Sequence, residues 1–314
     1  MKKLSVLFVL LVFFAGCRKK TAADTRSFYM GVTPWPADFT DAELGNAYTF
    51  ISGNCDMVSH HFDDGVPWEE AWQQQAMPVQ LQQELNTRIT KTAPGKKILL
   101  SVAPLNLTRK EKAEYYTRAD VGITDSIKQY WHSLAFNDPK VITAYVRYVS
   151  WLIDRLHPDF VNYGVESTVD TWDTHSFDLY KLFLAAVYTQ LKSRYPALPF
   201  FVSFMVYEDP LALSLASQLL PYTDYITLSA YPYTSVSSSA SGNTDPALFP
   251  ADYFTRFPDL APAKPFAIAE TGYIAEDLDI PSFSLHRQGT AAWQKAYLEK
   301  ICTLANERKA RFII

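Results

Sequence analysis

Two glutamates stand where an acid is least expected. Glu166 closes the run "DFVNYGVE" (159–166), and Glu270 closes the apolar stretch of "PFAIAETGY" (265–273) before the chain turns through Gly272. An ionised carboxylate is costly to bury without partners. Apolar runs that end on acids therefore read as strands whose last residue opens into a hydrated site. Two carboxyl groups on opposite sides of such a site could divide the work of glycoside hydrolysis. One gives a proton to the leaving oxygen, while the other, ionised, attacks or stabilises the anomeric carbon. That division requires surroundings that push the two acidities apart.

A third segment, "SHHFDDGVPW" (59–68), carries two histidines and two aspartates. Neighbouring residues of a strand point to opposite faces, so His60 and His61 do not reach one ion without distortion. No metal and no cofactor are expected. His61, nearer the strand end, is expected to face the site and to hydrogen-bond substrate or Glu270, with Asp63 and Asp64 forming the turn. Aromatic residues collect after the same runs: Trp35, Trp68, Trp72, Trp172, Tyr207, Tyr233 and Tyr273. Sugar rings present apolar C–H faces to such side chains, so Trp35, Trp68, Trp172, Tyr207 and Tyr273 are candidate substrate contacts. The competing reading is that these rings cover helices. Glu208, Asp209 and Asn106 are candidate hydroxyl binders.

The elements that must position these residues are eight short runs, near-continuously apolar rather than alternating, as suits parallel strands covered on both faces. They occupy 28–35, 55–62, 96–104, 159–166, 200–207, 224–231, 265–273 and 310–314. Between them lie stretches with helical periodicity, notably 139–156 with Pro139 at its start, 176–195 and 290–309. Strand and helix alternating eight times predict an α/β fold, a (β/α)8 TIM barrel. A doubly wound sheet is the alternative, but no strand leads into a GxGxxG or GxxxxGK loop. The long connections 105–135 and 234–253 would emerge at the carboxyl ends of strands, where barrel sites are built. The eighth run reaches Ile314 with the chain. Either the barrel is incomplete at its C-terminal strand and helix, or closure is achieved otherwise.

With these segments in place, the chain resembles clan A of the glycoside hydrolases, (β/α)8 enzymes that retain anomeric configuration. The segments "LSAYPY" (228–233) and "AETGY" (269–273) look most like the endo-β-1,4-galactanase family of that clan. The resemblance implies that Glu166 is the acid/base, that Glu270 is the nucleophile and that Tyr231 hydrogen-bonds Glu270. It also implies a β-linked polysaccharide or oligosaccharide as substrate. One position departs from the pattern: Val165 stands where the clan usually has an Asn that contacts the sugar 2-hydroxyl. A non-catalytic glycan-binding protein on the same scaffold is the alternative function.

Composition bounds the setting. The chain has 314 residues, 48% of them hydrophobic and 15% aromatic, with net charge −4. That suits a large globular core and gives nucleic acid no basic footprint. The first twenty residues, "MKKLSVLFVLLVFFAGCRKK", read as an export signal. "FAGC" resembles a bacterial lipobox, which makes residues 1–17 a signal peptide and Cys17 a lipid-bearing N-terminus. Residues 18–27 then form a polar tether and 28–314 a single domain. The expected protein is a monomeric, membrane-anchored lipoprotein of the cell envelope that meets carbohydrate. Cys55 and Cys302 give no disulfide framework and read as core thiols.

Overall fold

The computed structural model describes residues 26–116, 123–169, 172–236, 239 and 241–314. The signal segment, Cys17 and most of the tether lie outside these. Arg26 and Ser27, at the tether's end, are already tied to the domain: Arg26 pairs with Asp56 at 2.6 Å and Ser27 Oγ bonds Asn306 Oδ1 at 3.2 Å.

Seven of the eight apolar runs form the parallel strands β1 (Tyr29–Val32), β2 (Met57–Phe62), β3 (Lys97–Val102), β4 (Phe160–Gly164), β5 (Phe200–Met205), β6 (Ile226–Ala230) and β7 (Phe266–Thr271). β8 (Leu278–Ile280) and β9 (Leu285–Arg287) make a separate antiparallel hairpin. The eighth apolar run is β10 (Phe312–Ile313). Though short, it pairs with β1 through Tyr29–Phe312 and Met30–Ile313, and with β7 through Ile313–Ile268. The sheet is therefore a closed eight-stranded barrel, not one left open at its last strand.

Helices wrap the barrel as the periodicity predicts. After β1 comes α1 (Asp41–Asn54), and after β2 come α2 (Trp68–Gln73) and α3 (Val79–Lys91). The long connection after β3 holds α4 (Asp125–Ser133) and then α5 (Pro139–Leu156), which matches its expected bounds because Asp138 caps it and Pro139 supplies the first helical φ. α6 (Thr174–Arg194) begins two residues earlier than its Ser-x-Asp signal suggests, since Asp173 is the residue that caps it, accepting from the Ser176 amide. α7 (Pro210–Leu219) and α9 (Ala291–Glu307) complete the full helices. Between β6 and β7 there is only α8 (Pro232–Ser235) with short turns at Pro246–Leu248 and Pro258–Leu260, because prolines and serines interrupt any longer helical register.

Alternate residues of each strand share the barrel's inner face. Its floor is apolar, formed by Met57, Leu99, Phe160, Phe201, Ala267 and Phe312. Two residues further along the strands the same face carries Ser59, Ser101, Asn162, Ser203 and Thr227, all fully buried. One step more brings His61 and Ser229. Polarity thus rises from the floor to the carboxyl-end mouth. Among the described residues no helix is long and apolar enough to cross a membrane, and Cys55 and Cys302 are free thiols.

Candidate active site

Both glutamates reach the mouth through a break in strand register. Along β6 and β7, Leu228 pairs with Ile268 but Ser229 pairs with Glu270, so Ala269 is the extra residue. The shift turns Glu270 onto the face that strict alternation would give only to Ala269. β4 carries a comparable shift against β5 between Asn162 and Gly164. Here the chain must pass close to its neighbour: a Cβ on Gly164 would lie 2.7 Å from Val202. Two residues on, Glu166 adopts a left-handed φ of 52°, uncommon for a residue with a side chain. Its amide donates to Ser203 Oγ at 2.9 Å, and Ser203 also accepts from Asn162 Nδ2 at 3.1 Å. The Ser167 amide donates to the Ser203 carbonyl, also at 2.9 Å, which fixes the turn beyond.

Glu270 is nearly buried and faces two partners. Tyr231 Oη lies 3.5 Å from its Oε2, at the long end of a hydrogen bond, and His61 Nδ1 lies 3.1 Å from its Oε1. His61 Nε2 is 3.4 Å from Asp63 Oδ2. Among the described residues neither Nε2 nor Glu270 Oε1 has a well-aligned hydrogen-bond partner, so charge adds to weakly directed contacts here. Burial by itself disfavours the imidazolium, but Glu270, and then Asp63, outweigh it and raise the His61 pKa to about 10. His61 is therefore a cation at neutral pH. The same contact holds Asp63 below the usual carboxylate range. Burial raises the Tyr231 phenol, with Glu270 and then Glu166 adding to it, so it stays a donor.

Glu166 is held differently. Arg109 Nε donates to Oε2 at 2.8 Å, and Ser229 Oγ donates to Oε1 at 2.7 Å. Arg109 also places Nη2 3.8 Å from Asp63 Oδ2. Burial opposes the guanidinium charge, yet Glu166, then Asp63 and Glu270, raise its pKa further. A row of alternating charge, Glu166–Arg109–Asp63–His61–Glu270, thus joins the two glutamates through residues that follow or end β2 and β3. The Arg109–Glu166 link is a close hydrogen bond and the others are looser charge contacts; together they fix which side chains face one another.

The remaining sequence candidates separate into two groups. Trp35 is 66% exposed, with its ring centroid 6.2 Å from that of His61, beside a recess of about 130 Å³ that includes Asp63 and Asp64. Asn106 sits in the turn that carries Arg109, bonded to Glu111. Tyr207 and Glu208 are half-buried, and their carbonyls accept from Arg256. Trp68, Trp172 and Tyr273, expected to face substrate, are instead buried against other rings. Trp68 is 1% exposed, stacked on Trp131 of α4 and bonded to the Ala113 carbonyl. Trp172 stacks on Tyr180 at 5.2 Å, and Tyr273 stacks on Tyr297 at 4.5 Å with its hydroxyl bonded to the Thr244 carbonyl. A helix covers each ring, α4 over Trp68, α6 over Trp172 and α9 over Tyr273, so these rings pack within the domain. His60 points away from His61 to Thr92 at 3.0 Å, and burial, then Arg88, lowers its pKa to about 3. Val165 is fully buried and brings no polar atom to the mouth.

No protein-family model matches the sequence, and no curated protein matches it. Solved structures do. An exo-β-1,4-mannosidase from Opitutaceae bacterium strain TAV5 superposes with a TM-score of 0.58 at 15% identity over 91% of this chain. A β-glucuronidase from Bifidobacterium dentium, complexed with coumarin-3-O-glucuronide, superposes with a TM-score of 0.52 at 13% identity, also over 91%. The chain spans 51% of the mannosidase and 39% of the glucuronidase. At these identities the likeness shows the fold: this is a (β/α)8 barrel of the kind those glycosidases contain.

Proposed function

We propose that the protein is a glycoside hydrolase of the clan A type that cleaves a β-linked glycan with retention, Glu270 acting as nucleophile and Glu166 as acid and then base. The observation that carries this reading is the pairing of Glu270 with Tyr231 and cationic His61 across the mouth from Glu166. A cation and a phenol face this carboxylate, and among the described residues its Oε1 has no aligned donor competing for it. In the first step a Glu270 oxygen bonds the anomeric carbon as the bond to the leaving oxygen breaks. In the second, water replaces Glu270 and its proton passes to Glu166. Trp35 offers an exposed ring for a sugar face. The names of the structural neighbours agree with a β-glycoside substrate, and galactan is one candidate, resting on residues 228–233 and 269–273.

The test is hydrolysis of a panel of plant and microbial β-glycans by the purified domain, with proton NMR of the first-formed anomer. Glu270→Gln and Glu166→Gln should each lose nearly all turnover on natural glycans while keeping the fold; unchanged activity in both would refute the reading. Glycan binding without hydrolysis is the second reading, favoured by Arg109 and Ser229 occupying both oxygens of Glu166 and by apolar Val165 before it. Calorimetry that detects binding by a wild type unable to turn over any glycan would select it. The export signal and lipobox further lead us to propose a lipid anchor on Cys17, which radiolabelled palmitate incorporation, abolished in Cys17→Ser, would test.

A further inference from the structure

Glu166 is an acceptor at both oxygens, and one of its two donors comes from a loop tip. Arg109 occupies a left-handed φ of 59° in the turn 106–111, which an isolated bridge between Leu105 and Lys112 closes. The Asn106 carbonyl receives both the Arg109 amide, at 2.9 Å, and Nη1, at 3.2 Å, so the guanidinium is aimed before it meets Glu166. Leu107, two residues back, is 81% exposed, which puts the tip in solvent while its arginine is buried. A second seat lies beside the first, since Asp63 Oδ2 is already 3.8 Å from Nη2.

Resting on the hydrolase reading above, we propose that Arg109 is a positioning residue that latches Glu166 as an acceptor and thereby sets leaving-group selectivity. Glycosides whose aglycone departs as a stabilised anion are cleaved with the latch closed. Sugar–sugar linkages are cleaved only when Arg109 releases Oε2 and moves onto Asp63. In the first step the electron pair of the breaking C–O bond stays on the leaving oxygen. A phenolate carries it without a proton, whereas a sugar oxygen needs one that an acceptor-only Glu166 does not supply. The second step needs Glu166 as a carboxylate, the form the closed latch holds: water attacks the glycosyl–Glu270 ester, its proton goes to the Glu166 carboxylate and on to solvent, and Glu270 leaves as carboxylate.

The experiment compares kcat/KM for dinitrophenyl β-glycosides and for β-linked disaccharides of glucose, galactose, mannose and xylose, using whichever sugar is turned over. General-acid assistance is worth about 10²–10⁴-fold. Arg109→Gln should therefore narrow the dinitrophenyl-to-disaccharide ratio by about tenfold or more, while Arg109→Lys keeps it near the wild-type value. Asp63→Asn, which removes the second seat, should widen it, and this arm stands if Arg109→Gln fails to fold. A ratio that is unchanged or widened in folded Arg109→Gln, or narrowed in Asp63→Asn, overturns the latch. Absence of any dinitrophenyl turnover, or undiminished turnover by Glu270→Gln, instead overturns the hydrolase reading on which the latch rests.

Discussion

Replacing His61 with Gln removes the only cation that touches Glu270 among the described residues. The structure sets the size of the effect. Burial opposes the His61 imidazolium, but Glu270 and Asp63 raise its pKa from 6.5 to about 10. At about 1.4 kcal/mol per unit, that gap corresponds to roughly 5 kcal/mol of stability. Breaking one side of a buried ion pair costs about 3–5 kcal/mol, so the two routes agree. Because the folded-state pKa is raised, the contribution is fully present below about pH 6.5. It is lost as pH climbs to about 10, since across that window the folded state holds a proton that the unfolded chain has released. Urea unfolding of both proteins from pH 6 to pH 10 reads this directly. We expect His61→Gln to be less stable by about 3–5 kcal/mol near pH 6, and the gap to shrink steadily as pH rises. Parallel pH dependence in the two proteins would refute a buried imidazolium at this position.

Other consequences are smaller in number and sharper in contrast. Tyr231→Phe removes the hydroxyl 3.5 Å from Glu270. At the low end of a charge-assisted bond, about 1.5 kcal/mol, it should slow turnover about tenfold with melting temperature unchanged. Trp68→Ala should cost about 3–5 kcal/mol in urea unfolding, because the ring is core. Trp35→Ala should leave stability within about 0.5 kcal/mol and instead weaken glycan binding by calorimetry. The reverse ordering of these two tryptophans would place the sugar platform elsewhere.

The barrel was legible because its signals are local. Each apolar run became a strand within a few residues, and α5 and α9 follow from caps at Asp138 and Thr290 that sit beside their helices in the sequence. Glu270 was legible for the same reason: it ends a strand, and strand ends open into the mouth. Arg109 was not. It reaches Glu166 across 57 residues of sequence, from a turn in a long connection whose path no periodicity records. Ser229 was equally hidden, since its meeting with Glu166 depends on inward-facing registers of β4 and β6 together. The aromatic residues mark the opposite failure. Position after a strand placed Trp68, Trp172 and Tyr273 near the mouth, but whether a ring faces solvent depends on what packs over it. α4 and α6 cover the first two, and α9 covers Tyr273. Asp63, read as a turn residue, is the hinge of the charge row because it sits between His61 at the end of β2 and Arg109 from the turn beyond β3.

The most direct measurement is a mass spectrum. Incubating the protein with dinitrophenyl 2-deoxy-2-fluoro-β-glycosides should form the glycosyl–enzyme ester and strand it, because the fluorine slows the water step. An adduct of one glycosyl unit is expected, located by peptide mapping on Glu270 and absent from Glu270→Gln. An adduct on another residue, or turnover that inverts the anomeric centre with no adduct at all, would contradict Glu270 as the nucleophile.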